Sequence, residues 1–144
     1  MTLIEFHFNA PDRLQYVCRL LRKATLQGAR SGVVGAEATL RQLDAALWKF
    51  SDVAFMPHCT SSDTHALKLA SPIWLDADPV PLAGLDVLIN LGEDVPQGFE
   101  KFDRLIEIVA GDDYEKMMAR KRWRHYVDQG YDLKQHDLSK INKA

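Results

Sequence analysis

Apolar and polar positions change period several times along the chain, and each change marks an element. Residues 3–8, LIEFHF, alternate and predict a strand. Asn9 as a cap, with Pro11 behind it, opens a helix in which Leu14, Val17, Cys18, Leu20 and Leu21 recur at near-helical spacing as far as Gly28, a natural stop. SGVVGA, residues 31–36, is a short β-branched run between turn residues and fits a buried strand. In EATLRQLDAALWKF, Leu40, Leu43, Ala46 and Leu47 share one face of a second helix. AFMPHC is expected as a short strand and TSSDTH as loop, while SPIWL reads as a strand leading into the Pro-broken turn DADPVPLAG. LDVLINL, residues 85–91, is the apolar run of a central parallel strand, and DRLIEIVA alternates again. DDYEKMMARKRWRHYVDQ, residues 112–129, predicts a long helix with Asp112 and Asp113 at its positive end and Gly130 at its stop.

Strands alternating with helices predict an α/β fold of three layers, a mostly parallel sheet flanked by helices. Such a sheet raises the question of nucleotide binding. The first strand ends in HFNAPDRL, without the glycine that lets a backbone approach a pyrophosphate, and the chain has no GxxxxGK[ST]. Gly28, Gly32 and Gly35 in GARSGVVG precede or lie within a strand, so they read as helix stop and turn. The topology expected is mononucleotide-binding-like but without a phosphate loop.

At 144 residues the chain is sized for one domain with a core of its own, and residues 134–144 are expected as a loosely ordered tail. No stretch approaches the ~18 uninterrupted apolar residues of a membrane span. Glu5 and Asp12 stand where a secretory signal would be basic or apolar, so the expected compartment is the cytoplasm. Cys18 and Cys59 lie far apart with no CxxC, which suits free structural thiols. His58, Cys59, Asp63 and His65 in PHCTSSDTH are metal-capable, but their spacing matches no known ligand pattern; a plain loop is the better reading, and neither a cofactor nor a catalytic site is expected. Acidic pairs such as Glu93 with Asp94 fit turns and helix starts.

Charge changes the picture more. Residues 1–111 hold 10 basic and 14 acidic residues, residues 112–144 hold 8 and 6, and residues 116–125 contain five basic side chains with no carboxylate. On a helix, Lys116, Arg120, Trp123, Arg124 and Val127 fall within one sector of about 100°. Met118, Ala119 and Tyr126 supply the packing side, although Arg122 also lands there. A solvated basic face with a packing Trp accounts for this pattern by itself; an acidic partner, or the phosphates and bases of single-stranded nucleic acid, would give the stripe a use.

LDAALWKF followed by AFMPH, the strand DVLIN, and ARKRWRHYVDQGYDL, in that order, resemble the chi-subunit family of bacterial DNA polymerase III holoenzyme, accessory proteins of the clamp loader. The resemblance runs from the first strand to Leu133. It implies a non-catalytic protein, monomeric by itself, that meets nucleic acid only indirectly. It also implies two binding surfaces. One takes the acidic C-terminal tail of single-stranded DNA-binding protein and corresponds to Lys116, Arg120, Trp123 and Arg124. The other takes the psi subunit of the clamp loader, or an accessory helicase of the DinG type, and corresponds to Trp48 and Phe55. By composition alone that aromatic pair reads as core. The resemblance turns it outward.

Overall fold

A computed structural model describes residues 2–49, 58–60, 71–79, 82 and 84–141. In chain order the elements are β1 (Leu3–Ala10), α1 (Arg13–Leu26), β2 (Ser31–Val34), α2 (Glu37–Lys49), β3 (His58–Thr60), β4 (Ile73–Asp76), β5 (Val87–Asn90), a 3-10 turn (Phe99–Lys101), β6 (Arg104–Ala110), α3 (Asp113–Asp128), β7 (Leu133–Asp137) and α4 (Leu138–Ile141). Among the described residues the strands form one seven-stranded sheet in the order β3-β4-β2-β5-β6-β1-β7. Every pairing is parallel, where a mostly parallel sheet was expected. No helix among these residues is long and apolar enough to cross a membrane.

Strand alternation sorts the core into two layers. Ile106 and Ile108 of β6 pack on one face with Val17 and Leu21 of α1 and Leu40, Leu43 and Leu47 of α2. Leu105 and Val109 of the same strand join Ile4 and Phe6 of β1 on the other face, beneath Ala119 and Tyr126 of α3. Helices on both faces of a parallel sheet are the three-layer arrangement that the sequence pattern predicts.

The helix stops fall where the glycines predict them. Gly28 and Gly130 have φ of 82° and 88°, a region only glycine enters without strain. In each case the residue after the glycine donates to a carbonyl five positions back, Ala29 to Ala24 at 2.9 Å and Tyr131 to Tyr126 at 3.1 Å, while the glycine N–H bonds three back. The first helix start differs from expectation. Asp12, not Asn9, is the cap of α1 and accepts from the Gln15 N–H. Asn9 is still within β1, with φ of 60°, and donates from Nδ2 to Asp137 Oδ1 at 3.0 Å.

A larger correction concerns the C-terminal segment. Residues 134–137 are not a loose tail: with Leu133 they form β7, paired in parallel with β1 from Ile4↔Leu133 to Phe8↔Asp137, and Leu138 behind them is buried. The strand satisfies the outer backbone groups of β1, which would otherwise be an unpaired edge. Its exposed Lys134 and Gln135 make it polar enough to be mistaken for tail. On its α1 face β1 also carries Glu5. His7 beside it and the Arg104 guanidinium, which bonds Oε2 at 2.6 and 2.9 Å, hold the Glu5 carboxyl at about 2 against the opposing effect of burial. Arg104 is the geometrically complete partner, since His7 Nε2 stands 3.6 Å from Oε1.

Chain direction diverges at the carboxyl ends of β2 and β5, the place where open α/β sheets bind ligands. A cavity of about 500 Å³ lies there, but its lining includes Glu93, Asp94 and Glu115, and its arginine, Arg13, is tied to Glu115 at 3.1 Å. The Gly92 N–H already donates to Asn90 Oδ1 at 2.8 Å. Carboxylates and an occupied turn amide present the opposite of what a phosphate requires.

Cys18 and Cys59 are buried, and no disulfide joins them. Burial, with the Asp12 carboxylate adding to it, pushes the Cys18 thiol up to about 11. Alkylation of the native protein at neutral pH should therefore leave Cys18 unmodified, with labelling rising to completion in denaturant; intact mass after timed iodoacetamide exposure is the measurement.

Candidate functional site

The basic helix α3 begins at Asp112, whose carboxylate accepts from the Glu115 N–H at 2.7 Å, with Asp113 and Glu115 complementing the positive helix end. Glu115 also accepts from the Ala110 N–H, fastening the helix start to the end of β6. What fixes the helix in rotation is a buried polar network. Glu107 of β6 is fully buried beneath α3 and meets only donors: Arg122 Nε at 3.0 Å, Tyr126 Oη at 2.5 Å and Asn90 Nδ2 at 3.0 and 3.1 Å. The Arg122 guanidinium, itself 5% exposed, sends Nη1 on to the Glu93 carbonyl at 2.9 Å. Burial pushes the Glu107 carboxyl up, while Arg122, Tyr126 and Asn90 pull it back. An all-donor shell is built for the carboxylate. Burial, with Glu107 close by, also raises the Tyr126 hydroxyl far above its ordinary value, so it stays a donor.

With Arg122 turned inward, the helical period dictates the rest. Trp123 comes round about 100° from it, Lys116 about 120° and Arg120 about 160°. Trp123 settles edge-on against Phe6 of β1, ring centroids 5.0 Å apart, and is half-buried. Between this flank of α3 and the β1–β7 end of the sheet lies a cleft of about 400 Å³. Phe6, Phe8, Val109 and Ala119 give it an apolar floor; Lys116 and Arg120 form its cationic rim, with Asn9 and Gln135 as polar edges. Neither Lys116, Arg120 nor Arg124 has an ion-pair partner among the described residues.

The structure thus brings three of the four stripe residues, Lys116, Arg120 and Trp123, to one cleft. Arg124 is exposed one turn further along α3 and does not line it. Trp48, at the end of α2, is 59% exposed, so the core reading from composition gives way; its ring stands 5.3 Å from that of His58 on β3. Phe55 lies outside the described residues, as do Asp63 and His65. Of the metal-capable run, His58 bonds Asp44 Oδ1 through Nε2 at 2.6 Å and Cys59 is buried.

Three comparisons of sequence bear on this geometry. A family model described as DNA polymerase III chi subunit, HolC, matches residues 1–134. This chain belongs to that family. It is 34% identical to the DNA polymerase III subunit chi of Pseudomonas aeruginosa over 98% of this chain and 100% of the relative. It is also 33% identical to the protein of the same name from Haemophilus influenzae, over 68% of this chain and 67% of that one. The match to the chi family includes all of α3 and β1 and ends just inside β7.

Sequence reasoning missed the aromatic floor and the network beneath it. Phe6 and Phe8 alternate with Glu5 and His7, so their common face was legible, but which helix covers it was not. The Glu107 network had a signal: an acidic residue inside an apolar alternation and a basic residue on the packing sector of a helix each demand a partner. They answer one another. Removing one member, as in Glu107→Ala or Arg122→Met, should cost about 3–5 kcal/mol. An apolar pair such as Glu107→Leu with Arg122→Leu should recover much of that. Urea unfolding curves compared at constant slope check both expectations.

Proposed function

We propose that this chi-family protein is a non-catalytic accessory subunit of the replicative DNA polymerase assembly, and that the α3 cleft takes the acidic C-terminal tail of single-stranded DNA-binding protein. Family membership supports the accessory role. The observation that carries the tail reading is the pairing, in one cleft, of an apolar aromatic floor with unpaired cations at the rim. An acidic peptide ending in an apolar ring needs both. Arg120 and Lys116 meet the carboxylates, and Arg124 extends the cationic track for residues upstream. The terminal ring enters between Trp123 and Phe8.

Magnitudes set the strength expected. Each exposed charge contact contributes about 1 kcal/mol or less, and burying one aromatic ring contributes roughly 2–3 kcal/mol. Binding is therefore micromolar in order and weakened by salt. A nucleic-acid reading uses the same cations, but the Trp123 ring already packs against Phe6, which makes it a wall of the cleft more than a platform for stacking bases.

The psi subunit, or an accessory helicase, is assigned to the surface around Trp48. That surface adjoins β3, at the opposite edge of the sheet from β7. Six strand spacings of about 4.8 Å separate the two edges by roughly 29 Å, so both partners fit at once.

A synthetic acidic peptide ending in Pro-Phe should bind the purified protein, and Arg120→Ala should weaken it about fivefold with an unchanged melting temperature. Fluorescence anisotropy provides the affinity. Unchanged binding in that variant would sink the cleft assignment, and tight binding of a bare oligonucleotide without its binding protein would favour the nucleic-acid reading. Trp48→Ala should abolish co-purification with psi yet leave the peptide affinity within about twofold, as expected for sites too distant to couple directly.

A further inference from the structure

On the sheet face turned away from the cleft, the β1–β7 pair brings together three side chains that the tail reading does not use. Glu5 and His7 are two positions apart on β1 and so share a face, and the parallel register sets His136 of β7 opposite His7. Glu5 Oε1 lies 3.0 Å from His136 Nε2 and 3.6 Å from His7 Nε2. One ligand atom from each residue falls within 4.8 Å of the others. Tetrahedral zinc, with bonds of about 2.0–2.1 Å, spaces its ligand atoms about 3.3 Å apart, between the two measured separations.

The surroundings favour a cation at that point. His7 Nε2 is buried without a hydrogen-bond partner, on a side chain only 7% exposed. A buried imidazole nitrogen left bare is costly unless something fills the space it faces. Its other nitrogen, Nδ1, meets the Tyr16 hydroxyl of α1, and a proton on Nδ1 donated to that oxygen leaves the Nε2 lone pair free. A partner on the second ring nitrogen is the usual way a metal-binding histidine is oriented. Arg104 occupies Glu5 Oε2 and leaves Oε1 turned to the imidazoles. The His136 and Arg104 side chains are each 41% exposed, which opens a path from solvent.

We propose that Glu5, His7 and His136 form a binding site for a divalent transition metal of the zinc class, clipping the edge strand β7 to β1 and leaving a fourth position for water. Glu5 and His7 lie within the stretch matched by the chi family model, and His136 lies two residues past its end at residue 134. Its effect is structural. Gln135, next to His136 on β7, faces the opposite way and lines the α3 cleft, so metal on one face of β7 steadies a wall of the cleft on the other.

The test is titration of the untagged full chain with Zn²⁺ by calorimetry, and with Co²⁺ by visible absorption. One ion per chain is expected, with a rise in melting temperature and the absorption of four-coordinate cobalt. His136→Ala should lose the ion and the thermal shift while melting like the parent protein in the presence of chelator. Tyr16→Phe, which leaves all three ligands, should weaken binding about 10-fold to 100-fold. Absence of a bound ion would overturn the proposal. So would parental affinity in both variants, or loss of the ion on Cys59→Ser instead, which would move the metal to β3.

Discussion

The buried Glu107–Arg122 pair is the constraint from which the rest of the working surface follows. A carboxylate in the middle of β6, covered on both faces, cannot be left alone, because an uncompensated charge in that environment costs several kcal/mol. Arg122 answers it, Tyr126 and Asn90 complete its shell, and the reach of Arg122 to the Glu93 carbonyl draws in the loop after β5. Helix α3 is thereby held in one rotation about its axis. An apolar contact in the same place would tolerate a turn of some tens of degrees; a set of directed hydrogen bonds does not. The stripe of Lys116, Arg120 and Trp123 is presented to the cleft because Arg122 is not part of it.

β1 is the second organising element. Its alternation sends Phe6 and Phe8 to the α3 side and Glu5 and His7 to the α1 side, so one strand supplies the floor of the cleft and, back to back with it, the cluster proposed to hold metal. Both depend on β7 lying alongside, since Gln135 closes one and His136 completes the other. The carboxyl-end crevice, where this topology ordinarily takes a nucleotide, is given over to carboxylates and internal bonds. The cleft proposed for binding lies instead at a sheet edge.

Much of this was legible in residues. Gly28 and Gly130 marked the helix ends, the two periods marked most of the elements, and the carboxylate-free run between Glu115 and Asp128 contained the stripe. β7 was missed because LKQHD is short, polar and has one side to solvent, so nothing in its pattern distinguishes an edge strand from a tail. The cap shifted from Asn9 to Asp12 because β1 continues as long as β6 pairs with it, to Ala10↔Ala110, and pairing length is not a local property. Trp48 looked like core because a helix ending in LW is apolar at its end, whichever way the last ring faces.

The sequence by itself determined which side of each element is apolar, where helices begin and end to within a few residues, and that five basic residues would share one helix without a carboxylate among them. These depend on a few neighbouring residues and on fixed backbone periods. Only the tertiary structure decided that β1 lies between β6 and β7, that Arg122 is the inward member of the basic run, and that His7 and His136, 129 positions apart, stand side by side. Strand order and pair register arise from the global competition to bury both faces of the sheet, and no short window of residues contains that competition.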